Sequence, residues 1–410
     1  KKNFCQKNSH YFLKNLNKNI YPKNIIIKTN RTKSWYIDLI KSFYSTPRSN
    51  WKIDRNYKKY KSAKIILNYG ENIICEFKGK VKIHGGRKDH INLRTLNSSI
   101  RIKIFDGHLN HSRHFALMIP QTKLSDNEIF IANLLHEIGI ISPDSFYTNL
   151  KFNNNNSVKM IFQDMDYTEI LRRNRRVDGI VIAENKTKNN KFNLTRALNT
   201  EKQLMGTGWK YNRQYLLNAL DKTNYLFLNE KFYKQKNILS DKENYFINEN
   251  KFKDFYILMF AVNGMHGYQF GDRRYYYNLI LDQIEPIYYD WRSNVLEKNF
   301  KPPSYEGLSF KVDEEHIKTL ISKIKIINLI KFKSDLKEKG LELSDEKLNN
   351  TIKKIIDYLS SLNTKKLEVS ENILKLKFEY NNKLLFHEYE NIYRICDINF
   401  ECKKIDISEN

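Results

Sequence analysis

Apolar and polar residues alternate with a period of two through three stretches of the first half of the chain. "AKIILNY" (63–69) is followed, after a turn at Gly70-Glu71-Asn72, by "IICEFKGKVKIHG" (73–85), where Val81 and Ile83 alternate with Lys80 and Lys82. In "SIRIKIF" (99–105), Ile100, Ile102 and Ile104 share one face, and Arg101 and Lys103 share the other. Period two places successive side chains on opposite faces and predicts strands. The period then lengthens in "SDNEIFIANLLHEIG", where Ile131, Leu134, Leu135 and Ile138 form one stripe. That spacing predicts a helix of about four turns, with Ser125 and Glu128 as a capping box and Gly139 as its C-cap. "SFYTNLKF" and "SVKMIFQ" flank an Asn-rich turn and predict two more strands.

The pattern changes on either side of this block. Residues 1–60 are polar and irregular, and predict an N-terminal extension with one short helix near 34–44. "DYTEILRRNRRVDG" predicts a basic helix ending at Gly179, 196–250 a charged helical region, and 251–263 an apolar helix. "RRYYYNLIL" and "IEPIYYDW" predict a hairpin, 314–362 helices, and 372–407 strands with "ILKLKFEY-NN-KLLFHEY" as a hairpin. The segments divide as 1–60, 61–166 (sheet plus one helix), 167–300 (helices plus the Tyr-rich hairpin) and 301–410 (helical and strand additions).

Aromatics at 13% and apolar residues at 40% of 410 positions identify a folded chain. Its formal charge is +25, from 71 basic and 46 acidic residues. Such a chain favours polyanions. The lysines are spread along the whole sequence without a dominant block or a zinc-finger or RNP pattern, so no nucleic-acid partner is expected. Cys5, Cys75, Cys396 and Cys402 form no C-x-x-C pair, which argues against a metal cage; Cys396 and Cys402 read as free thiols. Runs such as "YILMFAV" (256–262) are too short to span a bilayer. The chain opens Lys-Lys-Asn-Phe without Met and reads as a piece of a longer protein, so cytoplasm and cell exterior both stay open.

Strands with one inserted helix, followed by a mostly helical half, have the layout of a protein-kinase-like fold. Phosphoryl transfer then asks for a Gly turn over the phosphates, a strand Lys paired with a helix Glu, a catalytic Asp, and an Asn and a second Asp on Mg²⁺. "HGGR" (84–87) supplies Gly85 and Gly86 for the turn, with a plain hairpin turn as the alternative. Lys103, with Arg101 on the same face, is the phosphate-contacting cation, and Glu128, or otherwise Glu137, its partner. In "HGYQFGDRRYYYNLILDQIEPIYYDWR" (266–292), Asp272 precedes Asn278 by six residues, and Asn278 precedes Asp290 by twelve. That is the order of a kinase catalytic Asp, metal Asn and metal Asp. The aromatics Tyr275, Tyr276, Tyr277, Tyr288 and Tyr289 fit a core or partner strand better than an adenine platform.

The stretches "GKVKIHGGRKDH", "SSIRIKIF", "LSDNEIFIANLLHEIGIISPDSFYTNLKFNNNNSVKMIFQDM", "EILRRNRRVDGIVI" and "MHGYQFGDRRYYYNLILDQIEPIYYDW" together resemble the CotH-like kinases, first known from spore-coat proteins. The resemblance covers roughly residues 78–295. It implies an α+β, two-lobed atypical protein-kinase-like fold with the N-terminal extension and C-terminal helical and β additions. It also implies ATP with Mg²⁺ (Mn²⁺ as its substitute), and transfer of phosphate to a Ser/Thr hydroxyl of a protein or to a glycan. Asp272 would be the base, Asn278 and Asp290 the metal ligands, and Lys103 or Arg101 the phosphate contact. The chain departs from the kinase pattern: it has no full Gly-x-Gly-x-x-Gly, Trp291-Arg292 follows Asp290, and His266 lies six residues before Asp272. A pseudokinase or scaffold that binds nucleotide or an anionic polymer is the alternative, and a metal-dependent nuclease the third.

Overall fold

The computed structural model describes residues 21–47, 49, 51–70, 73–185, 194–198, 219–220, 222–223, 248–268, 272–302, 314–362, 384–389, 392–396 and 402–406. They belong to two compact units. The first comprises the chain up to Leu134, with Pro143–Ile170 and Asn328–Leu348. The second comprises Leu135–Ser142, Leu171–Ile327 and Asn349–Asn410.

The first unit opens with strand β1 (Asn24–Lys28) and helix α1 (Thr32–Tyr44), then β2 (Lys61–Gly70) and β3 (Ile73–Ile83). The short pair β4 (Ile91–Asn92) and β5 (Asn97–Ser98) precedes β6 (Ile100–Ile104) and β7 (His114–Met118). Helix α2 (Asp126–Glu137) leads to β8 (Ser145–Phe152), β9 (Val158–Asp164) and helix α3 (Tyr167–Arg173). Seven strands close into a barrel in the order β1-β2-β3-β6-β7-β9-β8. All neighbours are antiparallel except β1 and β8, which run parallel and complete the ring through Asn24↔Asn149 to Ile27↔Phe152.

The closed barrel overturns the two-lobed kinase-like fold expected from the sequence. The kinase-type reading needs a sheet with free edges. Here β1, from the stretch expected to be an irregular extension, bonds to β2 on one side and β8 on the other. Closure removes both edges of the sheet. Ile25 and Ile27 of β1 are fully buried among Ile65, Val81, Ile102, Phe115 and Phe162. The isoleucine face of the 99–105 alternation therefore points into the barrel, and its cationic face points out.

Helix α2 ends as its sequence suggests. Gly139 stands at φ 78, Gly139 N–H donates to His136 and Ile140 N–H to Leu135, which is a Schellman cap. Helix α3 stops well short of Gly179, because Arg175 takes the left-handed conformation at φ 55 and its N–H returns to Arg172.

In the second unit, β10 (Ile180–Asn185), β11 (Leu194–Ala197), α4 (Glu249–Ala261), β12 (Arg274–Asn278) and β13 (Gln283–Ile287) follow one another. The strands form a sheet in the order β11-β10-β12-β13. Tyr275, Tyr276, Tyr277 and Tyr288 are buried, as their alternation predicts. Helices α5 (Glu314–Lys325), α6 (Leu329–Glu338) and α7 (Asp345–Leu362) come next, α6 falling in the first unit. Strands β14 (Leu384–Tyr389), β15 (Ile392–Cys396) and β16 (Cys402–Asp406) make a separate sheet, in which Cys396 stands opposite Cys402. Cys75 of β3 is disulfide-bonded. Most of the helical region expected at 196–250, and the first strand of the hairpin expected at 373–389, lie outside the described residues. Among the described residues no helix is long and apolar enough to cross a membrane.

Closure through β1 predicts that Ile27→Ala, which empties a fully buried site, destabilises the barrel by about 2–4 kcal/mol. The thermal midpoint of the full chain measures it. An unchanged midpoint would mean that β1 does not close the barrel in solution.

Candidate anion-binding site

Strands β3 and β6 lie antiparallel with Lys82 opposite Arg101 and Lys80 opposite Lys103. These are consecutive outward rungs of like charge. Directly opposed like charges destabilise a sheet, so two such rungs in succession mark a surface selected for something other than stability. The next strand adds His114 opposite Lys103, and the small Ala116 opposite Arg101.

Tyr60, just before β2, gathers these cations. Its ring centroid lies 4.6 Å from Lys82 Nζ, 4.8 Å from Lys80 Nζ and 5.8 Å from Lys103 Nζ. Cation–π attraction holds ammonium groups that would otherwise spread apart. Lys58 comes in from the same segment and donates to the carbonyl of Gly85. Gly85 stands at φ +90, and a Cβ there would fall 2.0 Å from the His90 ring, so glycine is required on two counts. The Gly86 carbonyl accepts from Ile53 N–H, which ties the Gly-Gly turn to residues 53–58.

Arg101 is the least satisfied member. Its Nη2 lies 3.7 Å from the Met165 sulfur, a weak acceptor, and its Nε is buried without a hydrogen-bond partner among the described residues. His114 Nε2 is in the same condition. Buried polar groups nearly always find partners, and a guanidinium is the side chain best shaped for phosphate or carboxylate.

Electrostatics give the same picture. Burial, then the charges of Arg55, Lys82 and Arg101, lower the Lys58 ammonium to about 8. Burial, then Arg101, Lys103 and Lys80, lower Lys82 to about 8. His114 is pushed to about 3 by burial and by Arg101, Lys103 and Lys82. His84 falls well below its ordinary value through burial and the charges of Arg101, His90, Lys123 and Lys58. The groups give up protons readily, first because they are buried and then because neighbouring positive charge adds to that.

The structure brings four of the residues expected to bind cofactor to this face: Arg101 and Lys103 directly, Gly85 through Lys58, and Gly86 beside it. Glu128 is buried and its Oε1 accepts a 2.6 Å bond from Gln163 Nε2. Gln163 pairs with Ala116, so Glu128 joins the neighbourhood two strands from Arg101. Lys58, Tyr60, Lys80, Lys82, His84 and His114 belong to the site but were not singled out from sequence. The alternation in "KGKVKI" already put Lys80 and Lys82 on one face; the missing fact was that β6 is the neighbour.

The three remaining residues lie in the second unit. Asn278 pairs with Gln283 at the turn end of the β12–β13 ladder, and Arg274 pairs with Ile287 at the other. At about 3.4 Å per residue, four residues put roughly 14 Å between those ends. Asp272 precedes Arg274 by two and Asp290 follows Ile287 by three, so the two carboxylates flank one end while Asn278 stands at the opposite end. Asn278 Oδ1 also accepts from the N–H groups of Ile280 and Leu281, at 3.0 and 3.1 Å, fixing the turn. The expected Asn278–Asp290 metal pair thus does not fit an Mg²⁺ ion. The register, invisible in the spacing, sends the two residues apart. Among the described residues no three His, Cys, Asp or Glu side chains gather as a metal cage. His266 Nε2 approaches Asp272 to 4.0 Å. Asp290 and Arg292, both at φ 54, bracket the buried Trp291. Of the basic helix, Arg176 is committed to Glu285 at 2.7 Å and Arg172 to Asp178 at 3.0 Å.

No protein-family model and no curated protein matches this chain.

A lysine lowered from 10.5 to about 8 in the fold makes stability rise with pH between those values, because the unfolded chain there binds more protons. Lys82→Met removes the repulsion, so the variant should be more stable than wild type at pH 7.5, with the advantage shrinking towards pH 10. Paired urea titrations at the two pH values test this. An advantage that is constant with pH would show that Lys82 is not held down by its neighbours.

Proposed function

We propose that the barrel unit binds a phosphate-rich anion on its β3–β6 face, with a nucleoside triphosphate such as ATP as the ligand class. The observation that carries this is half-buried Arg101, whose Nε is buried without a hydrogen-bond partner among the described residues, at the centre of opposed cations. An anion there relieves two like-charge rungs at once and supplies Arg101 with charge-assisted bonds. The reading uses Arg101, Lys103, Lys82 and Lys58 as phosphate contacts, with Lys80 and Tyr60 setting their positions. It needs no metal step, and it accords with the nucleotide- or polymer-binding alternative from the sequence.

A ligand at a hundred times its Kd stabilises the fold by about 2.7 kcal/mol. ATP and inorganic pyrophosphate are therefore expected to raise the thermal midpoint of the full chain, and Arg101→Gln to remove most of the shift. Binding should also take up protons at pH 8 to 9, as the anion restores protons to Lys58 and Lys82. Calorimetry in buffers of different ionisation heat reads that uptake. A wild-type chain stabilised by neither ligand would sink the proposal.

A second reading, phosphoryl transfer from ATP to a protein or glycan hydroxyl in the second unit, rests on half-exposed Asp272 with His266 Nε2 4.0 Å away. Under this reading Asp272→Asn stops ATP consumption but leaves the ATP-induced stabilisation intact. Absence of consumption by wild type, assayed with Mg²⁺ or Mn²⁺ and a mixed protein and glycan acceptor pool, would leave binding as the whole function.

A further inference from the structure

The cationic face is longer than one nucleotide's phosphates require. It follows the outward positions of β3 from Lys78 to Lys82, roughly 14 Å at about 3.4 Å per residue. An exposed ring stands at one end, and a second, exposed one lies past the Gly85–Gly86 turn. Phe105 continues the Arg101–Lys103 face of β6, is 57% exposed, and has Lys80 Nζ 5.8 Å from its centroid. Its N–H bonds to the Lys78 carbonyl, which fixes it at the far end of the ladder. Past the Gly85–Gly86 turn, Trp51 is 68% exposed, and its carbonyl accepts from Lys88 N–H. Lys52, next to it, is bridged to Arg87.

Resting on the anion-binding reading above, we propose that the natural ligand of this face is a single-stranded nucleic acid. Its backbone runs along the Lys80/Lys103 and Lys82/Arg101 rungs, and its bases stack on Phe105 and Trp51. The alternation of ring, cations and ring is what sequence-tolerant single-strand binding requires: a basic track for the phosphates and open aromatic faces for the bases. A duplex fits less well, because its bases are already stacked and have no use for exposed rings. This proposal departs from the sequence-based expectation of no nucleic-acid partner. The lysines scattered along the chain become a contiguous track only when β2, β3 and β6 are side by side.

The test is fluorescence anisotropy of a labelled oligothymidylate of about twelve nucleotides with the full chain, over a salt series, beside thermal shifts with ATP. Binding should weaken as salt rises, with a slope that Lys80→Gln plus Lys82→Gln reduces. Phe105→Ala and Trp51→Ala should each weaken the oligonucleotide about tenfold, since a stacked base contributes roughly 1–3 kcal/mol, and leave the ATP shift unchanged. Phe105→Leu keeps apolar bulk without the ring and should behave like the alanine variant. If ATP and pyrophosphate bind but the oligonucleotide does not, this proposal falls and the anion site stands. If neither binds, both fall. Oligonucleotide binding indifferent to both ring substitutions, or matched by heparin at equal charge, would reduce the face to unspecific charge attraction and overturn the proposal.

Discussion

The first unit depends on one five-residue strand that is bonded on both sides. β1 runs antiparallel to β2 and parallel to β8, and without it the sheet would have two free edges. Closure divides every strand into an inside and an outside. The inside is filled by Ile25, Ile65, Val81, Ile102, Phe115 and Phe162, a packing in which no ammonium group finds a partner. The charged half of each alternating strand has only the exterior left, and on β3 from Lys78 onward and on Arg101 and Lys103 of β6 that half is lysine and arginine. The basic face is thus the other side of the same alternation that builds the core.

A fold does not gain from such a face. Opposed lysines and arginines repel, and burial together with that repulsion lowers the lysine and histidine proton affinities. Interior packing and the Tyr60 ring carry the cost. Proteins accept local destabilisation of this kind where binding needs a prearranged field, because cations already in place need not be gathered when the anion arrives. Ala116 opposite Arg101 sharpens the point: a larger side chain there would cover the guanidinium that the arrangement leaves under-bonded.

Much of this was legible in the sequence, and the failures have definite causes. Period-two alternation placed β3 and β6, and put Arg101 and Lys103 on one face. The stripe and Gly139 placed α2 and its cap. Closure was not legible, because "NIIIK" has no alternation to set against its polar surroundings and its partner on β8 lies more than a hundred residues away. An open sheet plus a helix suggests a kinase lobe; the same strands with one more suggest a barrel, and the choice rests on a non-local parallel pair. The hairpin 274–287 was predicted correctly, but the position of its turn was not. "NLILDQ" lacks the Asn-Gly or Asp-Gly signal that would have marked Asn278 as a turn residue. Lys58 and Tyr60 sat in a stretch with no regular pattern, where sequence offers no neighbours at all.

The second unit shows how far a polar group depends on its immediate partners. Asp254 is fully buried in the apolar helix α4, where burial alone would push its proton affinity up. His316 at 3.1 Å and Lys323 at 2.6 Å, both from α5, reverse that and hold it below the usual carboxylate range. Asp254 is therefore a structural carboxylate that joins two helices. Asp272 and Asp290 are placed differently, half-exposed at the end of a ladder whose tyrosines are packed solid. The Phe255 and Trp291 rings meet edge to face at 4.7 Å directly beside Asp290, and Gly267 lets the backbone approach the indole so closely that a Cβ would fall 2.4 Å from it. Among the acids singled out from the sequence, these two are half-exposed, while buried Glu128 accepts from Gln163.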